Sequence, residues 1–319
     1  MRRHSLSWGL AVLLPALLVV WPALTAWAGQ TFVDDSGQVI NIQAPCKRII
    51  SLYPAHTENL YALGLERAII GVSPGETEPP AASGKPVFSY RDDPERFLAA
   101  RPDLVLIRPM VYRGHRALVD RLKQAGIAVV SLQPNNVQEM YAYWRRLGQL
   151  GGHEAQAEAM VKSFQQGLAA IQARWAGLPL EKRPRVYFEA IHAKMKTFAP
   201  DSMAAFVLAA AGGVNVASDA ESVRGTNIAQ YGQERILALG STIDVYLAQV
   251  GTMNKVSVQQ IKDEAGFQAI KAVRNGRVHL VDEEMVSRPT PRLLRGIEAI
   301  HALLYPAGAG ATANREARP

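Results

Sequence analysis

Cysteine is almost absent: Cys46 is the only one in 319 residues. With no internal partner it forms no disulfide, and a free thiol in an oxidising compartment is better placed buried and inert than functional. Histidine is sparse, seven in all, with no H-x-H or H-x-x-x-H pair. A bare-metal site needs three or four His, Asp or Glu ligands converging, and nothing in this spacing provides them. Catalytic signatures are missing as well: there is no G-x-S-x-G elbow, no P-loop and no G-x-G-x-x-G after a strand. Nor is there a concentrated Lys/Arg stripe with interleaved aromatics, which removes the nucleic-acid reading.

What is present is a globular composition, 48% hydrophobic and 20% charged, long enough for two domains of ordinary size. The formal net charge is +7, or +5 without Arg2 and Arg3. Those two arginines open residues 1–28, which read as an export signal: Arg2-Arg3-His4, an apolar run from Leu10 to Val20, and Ala26-Trp27-Ala28 as an A-x-A cleavage site. The expected location is the periplasm, with no stable membrane insertion after cleavage. A retained anchor is the competing reading, opposed by Pro15 and Pro22 in the apolar stretch. The Arg-Arg pair leaves the general secretory and twin-arginine routes both open. No Cys stands at the cleavage site, so a lipid anchor on an N-terminal Cys is not indicated.

Residues 153–176 carry Met160, Phe164, Leu168, Ile171 and Trp175 at steps of three and four, one stripe of an α-helix. Gly151-Gly152 and Gly177-Leu178-Pro179 bound it. The spacing predicts one continuous helix roughly 35 Å long at 1.5 Å per residue. Before it come a short hairpin around Asp35-Ser36-Gly37 and then strands alternating with helices; after it the alternation restarts. Pro94-Glu-Arg-Phe-Leu-Ala and Gln233-Glu-Arg-Ile-Leu-Ala share E-R-[apolar]-L-A, followed by an Asp and an apolar strand. The expectation is an α/β fold of two Rossmann-like lobes with parallel-type sheets joined by one long α-helix. The lobes span residues 29–150 and 179–306, the helix 151–178, and a disordered tail 307–319. The helix would be their single rigid connection, predicting small lobe rotations. A surface helix on one larger domain is the alternative.

An export signal, the hairpin FVDDSGQVINI, the opening strand A-P-x-K-R-I-I-S-L, P-A-x-T-E-x-L-x-A-L-G, P-E-R-x-x-A-x-x-P-D-L-V-L and the closing V-S-R-P-T-P-R-L-L-R-G-I-E-A-I occur in this order. Together they resemble the periplasmic substrate-binding proteins of ABC importers for iron-siderophore, haem and cobalamin, over about residues 31–306. The resemblance implies a non-enzymatic receptor without a resident cofactor. It would act as a monomer, hold a metal chelate in an interlobe cleft and deliver it to ABC transporter permease subunits. It further implies that Glu95 and Glu234 dock on permease arginines. Each falls in the first turn of a helix, where the helix dipole favours a carboxylate, so helix stabilisation alone is the competing reading.

Open α/β sheets bind ligands at the carboxyl ends of strands. The loops there offer Tyr53, His56, Tyr90, Arg91, Arg108, Tyr112, His192, Arg224, Met253 and Arg288. Tyrosine supplies a ring face and a hydroxyl, arginine a fork for anionic oxygens, so a basic cleft is expected. Tyr90 stands where the resemblance suggests an aromatic wall. His56 and His192 each follow the first strand of a lobe: they are either axial ligands to haem or a corrinoid metal, or hydrogen-bonded at helix starts. The Arg-rich loops favour an iron-siderophore or haem over cobalamin; an exported two-lobed enzyme with a metal cofactor is the alternative of another class.

Overall fold

In the computed structural model the chain is described over residues 29–223 and 226–306. The signal at 1–28, the tail at 307–319 and Arg224 lie outside these residues. β1 (Gln30–Val33) and β2 (Val39–Ile42) pair as an antiparallel hairpin. Phe32, Ile40 and Ile42 face inward while Val33 and Val39 stay exposed, the period-two pattern of a half-buried ribbon. So small a hairpin needs a body to pack on. Asp34 provides the tie: Oδ1 accepts the Ser36 and Gln38 amides at 2.9 Å each, and Oδ2 accepts the amide of Ser131 at 3.0 Å.

The first lobe then builds β3 (Ile49–Ser51), α1 (Pro54–Ala62), β4 (Ile69–Val72), α2 (Pro94–Ala100) and β5 (Leu104–Ile107). α3 (Pro109–Gly114), α4 (Arg116–Gln124), β6 (Ala128–Ser131) and α5 (Val137–Gly151) complete it. Its sheet runs β4-β3-β5-β6 with every pair parallel. Ile49, Ile50, Leu104, Val105 and Leu106 are all fully buried, as strands covered by helices on both faces require.

α6 (Glu154–Gln172) follows, and the second lobe opens with β7 (Arg185–Ile191), β8 (Lys196–Phe198), α7 (Met203–Ala210), β9 (Val214–Asn215), β10 (Glu221–Ser222) and β11 (Ile228–Gln230). It continues through α8 (Gln233–Ala238), β12 (Val245–Val250), α9 (Val258–Asp263) and α10 (Lys271–Arg274) to β13 (Val278–Asp282), α11 (Glu283–Val286) and α12 (Leu293–Leu304). The strand order is β10-β11-β8-β7-β12-β13, with β9 also beside β7. Only β9, β7, β12 and β13 pair in parallel; β8, β11 and β10 join antiparallel, so this sheet is mixed rather than parallel throughout.

The internal repeat has a structural reason. Asp103, just before β5, accepts the amides of Lys47 and Arg48 at 2.7 and 3.0 Å, at the start of the first lobe's leading strand. Asp244, just before β12, does the same for the Arg185 amide at 2.9 Å. In each lobe the repeated Asp pins the leading strand to its neighbour and so fixes their register.

α6 is shorter than the predicted helix. It covers 19 residues, roughly 29 Å, and residues 173–177 are turns. Trp175 still anchors the connection through Nε1 to the Ala210 carbonyl at 3.0 Å. The buried stripe is Ala157, Val161, Phe164 and Ile171. Phe164 packs edge-on against Tyr141 and Trp144 of α5. One apolar core therefore runs from Leu104 and Leu106 through α5 and α6 to Val186, Phe188 and Leu247, while the far face of each sheet has a core of its own.

The helix is also not the single connection between lobes. The segment after α11 returns to the first lobe, where the Pro289 carbonyl accepts Asn59 Nδ2 at 3.0 Å and Trp144 Nε1 at 3.1 Å. Arg292 grips Glu58 with two bonds of 2.8 and 2.7 Å, and Thr77 donates to Glu284 at 2.8 Å. A polar seam, buried at Asn59, Trp144 and Pro289 and partly open at Arg292 and Thr77, thus joins the lobes in addition to the helix.

Candidate functional site

Above that seam lies a cleft of about 1290 Å³ lined from both lobes. The first lobe contributes the ends of β3, β5 and β6: Tyr53 and Pro54, then Arg108 to Met110, then Gln133 and Asn135. The second contributes Phe198 at the end of β8 and the start of α7, then Gln249, Thr252 and Met253 at the end of β12, and Glu283, Ser287 and Arg288 after β13. For β3, β5, β6, β12 and β13 this follows from topology, since parallel strands deliver their following loops to the same edge.

Four predicted site residues meet here: Tyr53, Arg108, Met253 and Arg288. The Arg108 guanidinium lies over the Tyr53 ring at 4.4 Å, and its Nε is buried without a partner. Burial raises the Tyr53 phenol pKa, Arg108 partly offsetting it, so the hydroxyl is a donor at neutral pH. Arg288 is held by Glu284 at 2.7 Å, which sets its direction. Tyr90 and Arg91 line a smaller adjoining cavity of about 310 Å³ that shares Tyr53 and Arg108 with the cleft. Tyr90 rests against His115 with centroids 4.7 Å apart.

Three predicted residues are elsewhere. Tyr112 faces inward from α3, 7% exposed, beneath Arg116 and Lys123, and belongs to the far-side core. His56 is fully buried: Nδ1 lies 2.7 Å from the Tyr143 hydroxyl and Nε2 3.1 Å from the Ile107 carbonyl. Burial pushes its pKa down to about 3, so it is neutral with both nitrogens engaged. His192 packs inside the second lobe, Nδ1 at 2.9 Å from Glu189 and Nε2 at 3.6 Å from Glu264; the Glu189 hydrogen bond holds its pKa above the usual value. Both rings are thus committed within their own lobes, and neither is among the cleft-lining residues: the axial-ligand reading fails on geometry. Among the described residues no group of three His, Cys, Asp or Glu could hold a metal ion.

The acidic end of the cleft is not legible in the sequence. Asp35 from the hairpin turn and Glu139 from the first turn of α5 line it beside Gln133 and Asn135. Asp35 accepts the Gln133 amide at 2.6 Å; burial raises its pKa most, and Glu139 raises it further. Asp35-Ser36-Gly37 signalled only a turn, and nothing local said where the turn would dock. Among the described lining residues of the cleft, Arg108, Arg113 and Arg288 are accompanied by three carboxylates, Asp35, Glu139 and Glu283, and Arg91 lines the adjoining cavity.

Glu95 and Glu234 stand in the first turns of α2 and α8, both exposed. Glu95 is 66% exposed and paired with Arg121 at 2.9 Å, a contact open enough for an incoming guanidinium to replace.

The model of the family described as periplasmic binding protein matches residues 49–285. An ABC transporter substrate-binding lipoprotein of Bacillus subtilis is 29% identical over 279 residues, covering 86% of this chain and 85% of that protein. A vitamin B12-binding protein of Vibrio cholerae is 26% identical over 274 residues, covering 85% and 93%. Among solved structures, a Staphylococcus epidermidis protein described as a possible iron-binding periplasmic solute-binding protein superposes with a TM-score of 0.71 at 27% identity, covering 82% of this chain and all of that one.

Proposed function

The chain belongs to the periplasmic binding protein family, and from that premise we propose that it is the receptor of an ABC importer, holding a bulky metal chelate between its lobes. It is an extracytoplasmic solute-binding protein, located in the periplasm, and its action is capture and delivery rather than catalysis. The observation that carries the reading is the cleft itself, a cavity of about 1290 Å³ built from strand ends of both lobes. That exceeds the roughly 300–1000 Å³ of ordinary small-molecule pockets and suits a chelate rather than a metabolite. Tyr53, Arg108, Met253 and Arg288 contact the ligand, with Tyr90 and Arg91 at its flank. The ligand brings its own metal. Glu95 and Glu234 meet the permease, and the lobes at 29–150 and 179–306 move as near-rigid bodies about the 151–178 connection. The receptor works as a monomer.

Within this reading the arginines Arg108, Arg113 and Arg288, with Arg91 in the adjoining cavity, favour an iron-siderophore or haem. The carboxylates Asp35, Glu139 and Glu283 among the described lining residues support a second ligand, a corrinoid: a chelate with little net charge tolerates carboxylates beside it. One relative is named a vitamin B12-binding protein, which supports the same ligand. The test is an absorbance titration of the mature chain with cyanocobalamin, haem and a panel of ferric siderophores. Saturable one-to-one binding with Kd near or below about 1 μM is expected for one of them, cyanocobalamin first. Failure of all three classes contradicts the receptor reading.

A further inference from the structure

Sulfur accessible to solvent is concentrated at the cleft. Among the described methionines Met140 and Met203 are buried, at 0% and 1% exposure, although Met203 borders the cleft from α7, and Met160, Met195 and Met285 are half-buried. Met110 and Met253 are 48% and 53% exposed, and both line the cleft, one from each lobe. Met110 is the second residue of α3, and Met253 sits in the loop that leaves β12. Cys46 does not compete for oxidants: it is buried, and burial pushes its thiol up to about 12.

A thioether is apolar, flexible and polarisable, suited to lying against a large ligand face; its sulfoxide is polar, chiral and strongly hydrated. We propose that Met110 and Met253 are an oxidation-sensitive pair, converted to methionine sulfoxide by a hydroperoxide or a hypohalous acid, and that the conversion loosens the hold on the chelate. With hydrogen peroxide the sulfur lone pair attacks one peroxide oxygen, the S–O bond forms as the O–O bond breaks, and the departing hydroxide takes a proton and leaves as water. Sulfur loses two electrons and the peroxide gains them. The site stands on exposure and position alone; the effect on affinity rests on the receptor reading.

The experiment exposes the mature protein to graded hydrogen peroxide and maps oxygen gain by peptide mass spectrometry. Met110 and Met253 oxidise first, with Met140 and Met203 unmodified while the fold persists. Equal oxidation of Met140 and Met203 overturns the site. In a second arm the oxidised protein is titrated with cyanocobalamin, and separately with haem. A roughly tenfold weaker Kd is expected, reversed by methionine sulfoxide reductases. The Met110→Leu/Met253→Leu variant, or Met253→Leu alone if the double variant does not fold, loses the response to peroxide. Full oxidation of the pair with unchanged affinity overturns the functional half. If the untreated protein binds neither probe, the receptor reading fails, while the oxidation map still decides the site.

Discussion

His56 and His192 hold opposite pKa shifts, and the two act on stability in opposite pH directions. His56 is depressed to about 3 by burial. An unfolded imidazole takes up a proton near 6.5, so the contribution of His56 is present above that pH and is lost as pH falls toward 3, on the order of 5 kcal/mol in all. His192 is raised by Glu189, so its contribution is complete below 6.5 and is lost as pH rises through its folded value. A histidine NMR titration checks both: His192 should show a midpoint above 6.5, and His56 should show none between pH 7 and 5. A His56 midpoint near 6.5 would contradict the burial argument. Cys46 gives a second test, since a thiol pushed up to about 12 is unreactive. An aromatic disulfide reagent at pH 8 should label it only after unfolding, and stoichiometric labelling of the native chain would refute this. At this scale the sequence made loop position legible and depth illegible. Tyr53 and His56 are three residues apart, yet Tyr53 lines the cleft while the first turn of α1 turns His56 under Tyr143.

Among the elements, the repeat E-R-x-L-A…Asp was readable as a motif, and its work is the pair of strand ties made by Asp103 and Asp244. The long helix was readable from its stripe, but its end was not: residues 173–177 keep helical composition and form turns, with Trp175 held by Ala210. β8, β10 and β11 escaped because strands of two or three residues show no alternation to read. α5 and α6 approach closely where a Cβ on Gly148 would lie 2.6 Å from the Ala157 Cβ. Gly148→Ala should therefore destabilise the fold by about 1–3 kcal/mol through overpacking, seen as a lower urea midpoint. An unchanged midpoint would mean the two helices slide apart without cost. The seam offers a sharper case. Arg292 and Glu58 are 15% and 10% exposed, and removing one partner strands the other. Arg292→Met should cost about 3 kcal/mol and broaden the interlobe distance distribution measured by paired spin labels. A narrow, unshifted distribution would leave α6 as the sole restraint.

For the whole molecule, the two-sheet α/β plan and the family were legible, because strand order and helix breaks are written locally. The carboxylates lining the cleft were not, because they reach it from a hairpin turn and a helix start far apart in the chain. Docking is a property at this scale. Glu95→Ala/Glu234→Ala should abolish chelate uptake through the permease and leave equilibrium chelate affinity unchanged. A large loss of affinity would place these carboxylates in ligand binding instead. The central claim, that the chelate is held between the lobes, is tested most directly by hydrogen exchange with and without saturating cyanocobalamin, repeated with haem if cyanocobalamin does not bind. The account predicts slowed exchange in segments 108–113, 226–228, 249–253 and 283–288, spanning both lobes. Protection confined to one lobe, or none at saturation, would contradict it.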